Sequence, residues 1–174
     1  AKPYLINKVK SQKIVSLILG GPNKYYSFSN EELTGIFKKV KTNFISEGYK
    51  AIIIPSLRTP KKIIDLAMNE FDSNNFVVNS VNKQAYLSAL ALATSIVVTC
   101  DSTSMISEAA ASGKPIFVAH MRSKKDKYRF RKFFQLFKEM GITRELGERV
   151  QNWTYNKLNE TERIAAMINN KLNN

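Results

Sequence analysis

The chain has 174 residues, of which 44% are hydrophobic and 24% are charged, a composition typical of a globular protein rather than of a disordered or fibrous one. Its longest apolar runs have the length of a strand, far below the roughly 20 residues of a membrane-spanning helix. No signal peptide is visible, and the single cysteine, Cys100, excludes an internal disulfide, so we expect a cytoplasmic protein.

The chain is strongly basic. It carries 27 lysines and arginines against 14 acidic residues, a net charge of +13. This charge indicates either a polyanionic partner or simply a surface decorated with lysine. Arginine, which base recognition prefers, is sparse beside lysine, and the sequence carries no helix-turn-helix, zinc-ligand or RNA-binding motif. We therefore expect no nucleic-acid partner.

Apolar runs and helical periodicity alternate along the chain. Strands are predicted, in order, at 13–19, 51–54, 76–78, 96–99 and 115–119. Helices are predicted at 29–48, 61–71, 83–93 and 105–112, through 133–140, and finally from 159 to 172. In the helix at 83–93, four side chains are expected to face the core: Tyr86, Leu87, Leu90 and Leu92. This alternation predicts an α/β fold over residues 1–174, a single three-layer Rossmann-like domain with a parallel sheet of about five to six strands.

The stretch 95–120 organises the rest of the chain. Its strand ends in a polar turn, in which Asp101 is expected to orient the backbone and Ser102, Thr103 or Ser104 to cap the next helix. That helix is rich in alanine, and Gly113 fits the left-handed residue beyond its end. Ligands of open α/β sheets bind outside the carboxyl ends of the strands, and a helix N-terminus there favours an anion.

Two other strand ends carry residues suited to a ligand. Gly20 and Gly21 follow the first strand, where glycine lets the backbone turn sharply or approach a ligand; a bare turn is the alternative, and no G-x-G-x-x-G follows. Arg58 follows the second strand, where a guanidinium can bind phosphate through two hydrogen bonds or can simply lie exposed near a helix end.

Other chemically active residues are few. The only histidine, His120, ends the fifth strand and either acts on a ligand or is an incidental loop residue. Cys100 is expected to be a buried, unreactive thiol. The basic segment 121–132 either contacts phosphate, an anionic membrane or an acidic partner, or forms the solvated side of an amphipathic helix. One histidine and one cysteine cannot form a transition-metal site alone, and no D-x-D pair is present, so we expect no metal.

The motifs taken together are more specific than each alone. Gly-Gly-Pro follows the first strand and Ser-x-Arg-Thr-Pro the second, and T-x-D-S-x-S-M-x-S-E-A-x-x-x-G-K-P spans the fourth strand and its helix. Met-Gly-Ile-Thr-Arg, Trp153-x-Tyr155 and Leu-Asn-Glu-Thr-x-Arg-Ile-Ala follow downstream. This order, over roughly 14–168, resembles the mitochondrial-fission ELM family, whose bacterial members are often labelled nucleoside-diphosphate-sugar epimerases. That family in turn is similar to the carboxyl-terminal lobe of GT-B glycosyltransferases and of UDP-sugar 2-epimerases.

The resemblance implies a site for a nucleotide sugar, of the UDP type, without a further cofactor. It implies that Glu108 binds the ribose hydroxyls, that the turn at Ser102, Thr103 and Ser104 faces the phosphates, and that Arg58 helps to hold the diphosphate. It also places Gly20 and Gly21 at the cleft between two lobes. It assigns no catalytic residue. An exposed helix acid is the alternative for Glu108.

The chain departs from the family pattern in two ways. Enzymes with two lobes need an amino-terminal lobe for the acceptor, supplied in cis or in trans, and this chain has room for one lobe, so we expect weak nucleotide binding and little catalysis. Leu57 stands where a second arginine is usual. The alternative function is a non-enzymatic, membrane-associated scaffold of the fission type, which would bind anionic surfaces peripherally through the basic segment.

Overall fold

Six parallel strands form one sheet in the computed structural model, which describes residues 12–147 and 152–157. The strands are β1 (Ile14–Leu19), β2 (Lys50–Pro55), β3 (Phe76–Val77), β4 (Ser95–Thr99), β5 (Ile116–Ala119) and β6 (Thr143–Glu145). The helices are α1 (Asn30–Asn43), α2 (Lys61–Glu70), α3 (Lys83–Leu92), α4 (Thr103–Ala110) and α5 (Tyr128–Glu139), with a 3₁₀ turn at Ile45–Glu47.

The order of the strands creates a switch point beside β1. The sheet runs β3-β2-β1-β4-β5-β6, and every neighbouring pair is parallel. The chain therefore builds outward from β1 on one side, then returns to place β4 against the other side of β1 and builds outward again. The loops after β1 and β4 leave the sheet side by side, and a crevice at such a point is the usual ligand site of an open α/β sheet.

Both faces of the sheet are covered, which explains why β1 and β4 are mainly apolar and are buried at every position. Successive side chains of β1 alternate between the two faces of the sheet: Leu17 belongs to a core with Phe37 of α1 and Phe117 of β5, and Ile18 belongs to the core that contains Phe137 of α5. Helices lie over each face, so the predicted three-layer Rossmann-like α/β fold is confirmed.

The predicted strands and helices agree with the described structure in type and order, with two differences. The sequence analysis missed β6, a three-residue edge strand whose residues Thr143–Glu145 are polar or charged and carry no apolar run. The inward position of Leu87 was wrong, because its side chain is 41% exposed. The small residues Ala85, Ser88 and Ala89 face the sheet instead. The helix predicted at 159–172 lies outside the described residues.

Helix ends follow the predicted chemistry. Ser29 caps α1 through a capping box with Glu32, and Gly48 closes the 3₁₀ turn with a left-handed φ of 84°. Gly113 likewise has a φ of 72°. Within 12–147 and 152–157, the structure contains no helix with the length and apolar character needed to cross a membrane.

Candidate functional site

The glycine turn after β1 is packed directly onto the turn after β4. The Gly20 amide donates to Thr99 Oγ1 at 2.8 Å, and the Gly21 amide donates to Asp101 Oδ2 at 2.9 Å. A β-carbon on Gly20 would lie 1.9 Å from that carboxylate oxygen, and one on Gly21 would lie 2.0 Å from the Arg58 carbonyl. Glycine is therefore required here by the close approach of neighbouring loops, and both amides are already hydrogen-bonded.

Arg58 joins the loop after β2 to the same network. Its guanidinium donates to Asp101 Oδ2 at 2.8 Å and to the Gly21 carbonyl at 3.0 Å. The Asp101 side chain is fully buried, whereas that of Arg58 is 42% exposed. Asp101 Oδ1 is also buried and has no hydrogen-bond partner among the described residues. The buried carboxylate thus holds the arginine at the surface of the crevice, and three of its five N–H donors have no acceptor among the described residues.

Two residues that the sequence analysis did not assign to the site complete the network. Thr59 donates its hydroxyl to the Gly20 carbonyl at 2.6 Å and accepts from the Ser56 amide at 2.8 Å. Asn23 donates from Nδ2 to the Asp101 carbonyl at 3.2 Å, and its Oδ1 accepts from two amides of its own loop. Their positions, just before Pro60 and just after Pro22, were the available sequence signal, since loop residues with short polar side chains commonly bond neighbouring backbone.

The turn after β4 begins α4 as predicted. Ser102 is the N-cap residue, and its Oγ accepts from the Met105 amide at 3.3 Å. The amides of Thr103 and Ser104 precede the first intrahelical bond and have no hydrogen-bond acceptor among the described residues. These two donors, together with the positive end of the helix dipole, create a local preference for an anion.

Glu108 lies further along α4, on the side that contacts α3. Its side chain is exposed, and Oε2 accepts a 2.7 Å hydrogen bond from the Tyr86 hydroxyl. Burial, followed by this bond to Glu108, raises the pKa of Tyr86 above its ordinary value, so the phenol remains a donor. The structure therefore brings Gly20, Gly21 and Arg58 together around Asp101, and Tyr86 fixes Glu108 separately.

The sole cysteine and the sole histidine are not part of this network. Cys100 is buried, as predicted, and burial raises the pKa of its thiol to about 11. His120 Nε2 lies 2.9 Å from Glu145 Oε2, and its ring meets Phe134 edge-on with centroids 4.8 Å apart. Burial lowers the pKa of His120, and the charge of Glu145 offsets part of that effect.

A cavity of about 350 Å³ lies beside His120 and contains none of the seven predicted site residues. Its walls come from the β1–α1 loop, the β5–α5 loop and the first two turns of α5. The lining includes Tyr26, Met121, Phe130 and Phe134, with Lys127 among the polar residues. In the part of the chain that the structure describes, no three histidine, cysteine or acidic residues gather in the manner of a metal site.

The sheet order and the loop cluster at its switch point define an α/β Rossmann-like domain. The structure of a Listeria monocytogenes protein described as a UDP-N-acetylglucosamine 2-epimerase has the same fold, with a TM-score of 0.58 and 16% identity, over 100% of this chain and 40% of that one. The chain belongs to the mitochondrial fission ELM1 family, whose model matches residues 5–172.

Two curated relatives are similar to the chain. An uncharacterized Rickettsia prowazekii protein, RP120, is 29% identical over 168 residues, which are 90% of this chain and 46% of the relative. The Arabidopsis thaliana mitochondrial fission protein ELM1 is 30% identical over 122 residues, 67% of this chain and 28% of the relative. The chain thus spans less than half the length of the curated relatives it matches.

Proposed function

We propose that this chain binds a nucleoside-diphosphate sugar of the UDP type at the crevice between the loops after β1, β2 and β4. The observation that carries the proposal is the Arg58–Asp101 pair, which is built across the switch point of the sheet. Asp101 is fully buried, so its charge acts mainly to orient Arg58, while the guanidinium keeps an exposed face toward solvent. A surface arginine held in this way is prearranged for bidentate contact with a phosphate.

The diphosphate would lie between Arg58 and the start of α4. The amides of Thr103 and Ser104, which have no acceptor among the described residues, would donate to the phosphates from the helix start, so that one guanidinium and one helix N-terminus would share the negative charge. The absence of β-carbons at Gly20 and Gly21 lets the loop after β1 pack closely against Asp101 and Arg58. Because both glycine amides already donate within the protein, they act in this proposal by shape and not as phosphate donors.

The ribose would be bound by Glu108. This residue lies five positions after Thr103, which is about 7.5 Å along a helix axis, a separation suited to a nucleoside that extends from a phosphate at the helix start. Tyr86 holds Oε2, so Oε1 is the oxygen that would accept from a ribose hydroxyl. We propose binding and not turnover for these residues, since catalysis requires reacting groups placed around the substrate.

Titration of the ¹⁵N-labelled chain with UDP and with UMP tests the proposal. We expect UDP to shift the amide resonances of Gly21, Thr103 and Ser104 and to bind about tenfold more tightly than UMP, which lacks the second phosphate. Arg58→Gln should weaken UDP binding by about the same factor. Lys61→Gln is the matched control. It also removes one positive charge near Arg58 in the sequence, but Lys61 pairs with Asp65 on the solvent side of α2. Unchanged spectra at millimolar UDP would refute the proposal.

A second candidate, attachment to anionic membranes, is favoured by one specific feature. The β5–α5 loop exposes Lys124 and Lys125 beside Lys24 of the neighbouring loop, and Lys124 reaches the Asn23 carbonyl at 3.5 Å. Each lysine in such a cluster contributes about 1 kcal/mol to the free energy of binding to an anionic bilayer. Flotation with phosphatidylserine vesicles should recover the chain, and charge reversal at Lys124, Lys125 and Lys127 should abolish recovery. Equal recovery with neutral vesicles would contradict the candidate.

A further inference from the structure

The cavity beside His120 has aromatic walls. Phe130 and Phe134 stack in parallel on successive turns of α5, with centroids 6.1 Å apart and an interplanar angle of 13°. Tyr26 meets Phe130 edge-on at 5.9 Å, and His120 meets Phe134 edge-on at 4.8 Å. Aromatic side chains line the cavity, and an unsaturated ring can meet such side chains in offset or edge-to-face geometry.

The charges at this cavity do not cancel. Arg131 and Asp126 pair with each other at 3.1 Å, and His120 pairs with Glu145. Lys127 forms no ion pair with any carboxylate in the described ranges; its Nζ lies 4.5 Å from the ring centroids of both Tyr25 and Phe130. An ammonium held between two rings is fixed in position and keeps hydrogen-bond donors for an incoming anion.

The mouth of the cavity is held in place by its two loops. Tyr26 and Ser123 form an isolated antiparallel bridge, and the Lys124 amide donates to the Tyr25 carbonyl at 2.7 Å. A ligand would therefore enter a preformed space, which lowers the entropic cost of binding. The volume of about 350 Å³ is near the lower end of the range for ligand pockets, which fits one ring or two fused rings with a small substituent.

From these observations we infer that the cavity is a second binding site, for a small planar molecule that carries one carboxylate or phosphate group. The ring lies against Phe130, Phe134 and Tyr26, and the anionic group bonds Lys127 at the rim. The site is independent of the proposed nucleotide site, because its lining includes neither Arg58 nor any residue of α4.

Phenyl phosphate is the probe that combines both features, with phenol and inorganic phosphate as its two halves. In NMR titrations we expect phenyl phosphate to shift resonances of Tyr26, His120 and Phe134 and to bind about tenfold more tightly than either half. Benzoate should bind in the same place, since a carboxylate can replace the phosphate at Lys127. Binding of inorganic phosphate alone with equal affinity would overturn the inference, because the rings would then contribute nothing.

Two lysine variants separate the site from general surface charge. Lys127→Gln should reduce phenyl phosphate affinity about tenfold and leave phenol affinity unchanged. Lys132→Gln is the control: Lys132 also lies over a ring, that of Tyr128, but does not line the cavity, so binding should be unaffected. Equal losses in the two variants would overturn the inference.

Competition distinguishes this site from the nucleotide site. Saturating UDP should leave phenyl phosphate binding intact, and the Arg58→Gln variant should bind phenyl phosphate as the parent chain does. Displacement of phenyl phosphate by UDP would refute an independent second site. Failure of UDP to bind would refute only the proposed function, because the phenyl phosphate titration does not depend on it.

Discussion

The loop cluster around Asp101 and the cavity beside His120 lie along the same edge of the sheet but are built in different ways. Around Asp101, three loops are joined by short hydrogen bonds to one buried carboxylate, and two glycines leave no room for a β-carbon. Beside His120, aromatic rings meet edge to face and line an open cavity. A hydrogen-bonded network tolerates little change because an unsatisfied buried polar group is costly, whereas an aromatic cavity can lose one contact at a time.

Gly20→Ala should have the largest effect and is the most direct way to break this comparison. The new β-carbon would lie 1.9 Å from Asp101 Oδ2, so the substitution should destabilise the chain by about 3 kcal/mol, through overpacking and displacement of a buried charge. Gly35→Ala is the matched control in the exposed part of α1, where an added β-carbon would meet no neighbouring atom within 4 Å. It should stabilise the chain by about 0.5 kcal/mol or more. Urea unfolding measures both, and equal stability of the two variants would show that the loop packing is loose.

The Arg58–Asp101 pair should give the next largest effect. A double-mutant cycle with Arg58→Gln and Asp101→Asn should yield a coupling free energy of about 1–2 kcal/mol, below the value for a fully buried pair because solvent reaches Arg58. The same cycle at Lys61–Asp65, an exposed pair one helical turn apart, should give about 0.5 kcal/mol or less. A coupling at Arg58–Asp101 no greater than at the control pair would remove the basis for a prearranged arginine.

His120 should make a smaller, pH-dependent contribution on the cavity side. Its pKa is lowered in the folded state. Below the pKa of about 6.5 that histidine has in the unfolded chain, the unfolded chain therefore binds the proton more readily than the folded chain does. Its contribution to stability is therefore complete above that pH and is lost as the pH falls toward the folded pKa. The effect should be no more than about 0.5 kcal/mol, because the ring is partly exposed and solvent screens it.

Urea unfolding at pH 7.5 and 5.5 checks this expectation. Acidification from pH 7.5 to pH 5.5 should lower the free energy of unfolding more in the parent chain than in the His120→Gln variant. A parent that gains stability relative to the variant on acidification would mean that attraction between protonated His120 and Glu145 outweighs burial.

Leu57→Arg should change stability least and sharpens the comparison at the surface of the loop cluster. Leu57 is 89% exposed, so the free energy of unfolding should shift by less than about 0.5 kcal/mol. Its position next to Arg58 places a second guanidinium at the proposed diphosphate, and we expect UDP affinity to rise about threefold. Leu57→Gln, which is similar in size and uncharged, should leave the UDP affinity measured by calorimetry unchanged. A gain in affinity in both variants would indicate that the added charge is not the cause of the gain.

Much of this architecture follows from local sequence pattern. The buried strands β1, β2, β4 and β5 and the helices between them are encoded in continuous apolar runs and 3.6-residue periodicity, and the Ser29 and Ser102 caps follow from the bond that a hydroxyl accepts from a first-turn amide. The clustering of Gly20, Gly21 and Arg58 was predictable as well, because the carboxyl ends of adjacent parallel strands meet at one edge. The edge strand β6 escaped prediction because strand formation at Thr143–Glu145 comes from pairing with β5 and not from its own composition.

The sequence by itself determined the class of fold, the family and the edge of the sheet where polar residues gather. Only the tertiary structure decided that Asp101 is the centre of that cluster, that Tyr86 holds Glu108, and that a cavity forms beside His120. The physical reason is range: helices, strands and caps arise from neighbours a few residues apart, whereas the bond between Gly21 and Asp101 spans 80 positions. Its formation depends on how the strands pack, which no local pattern records.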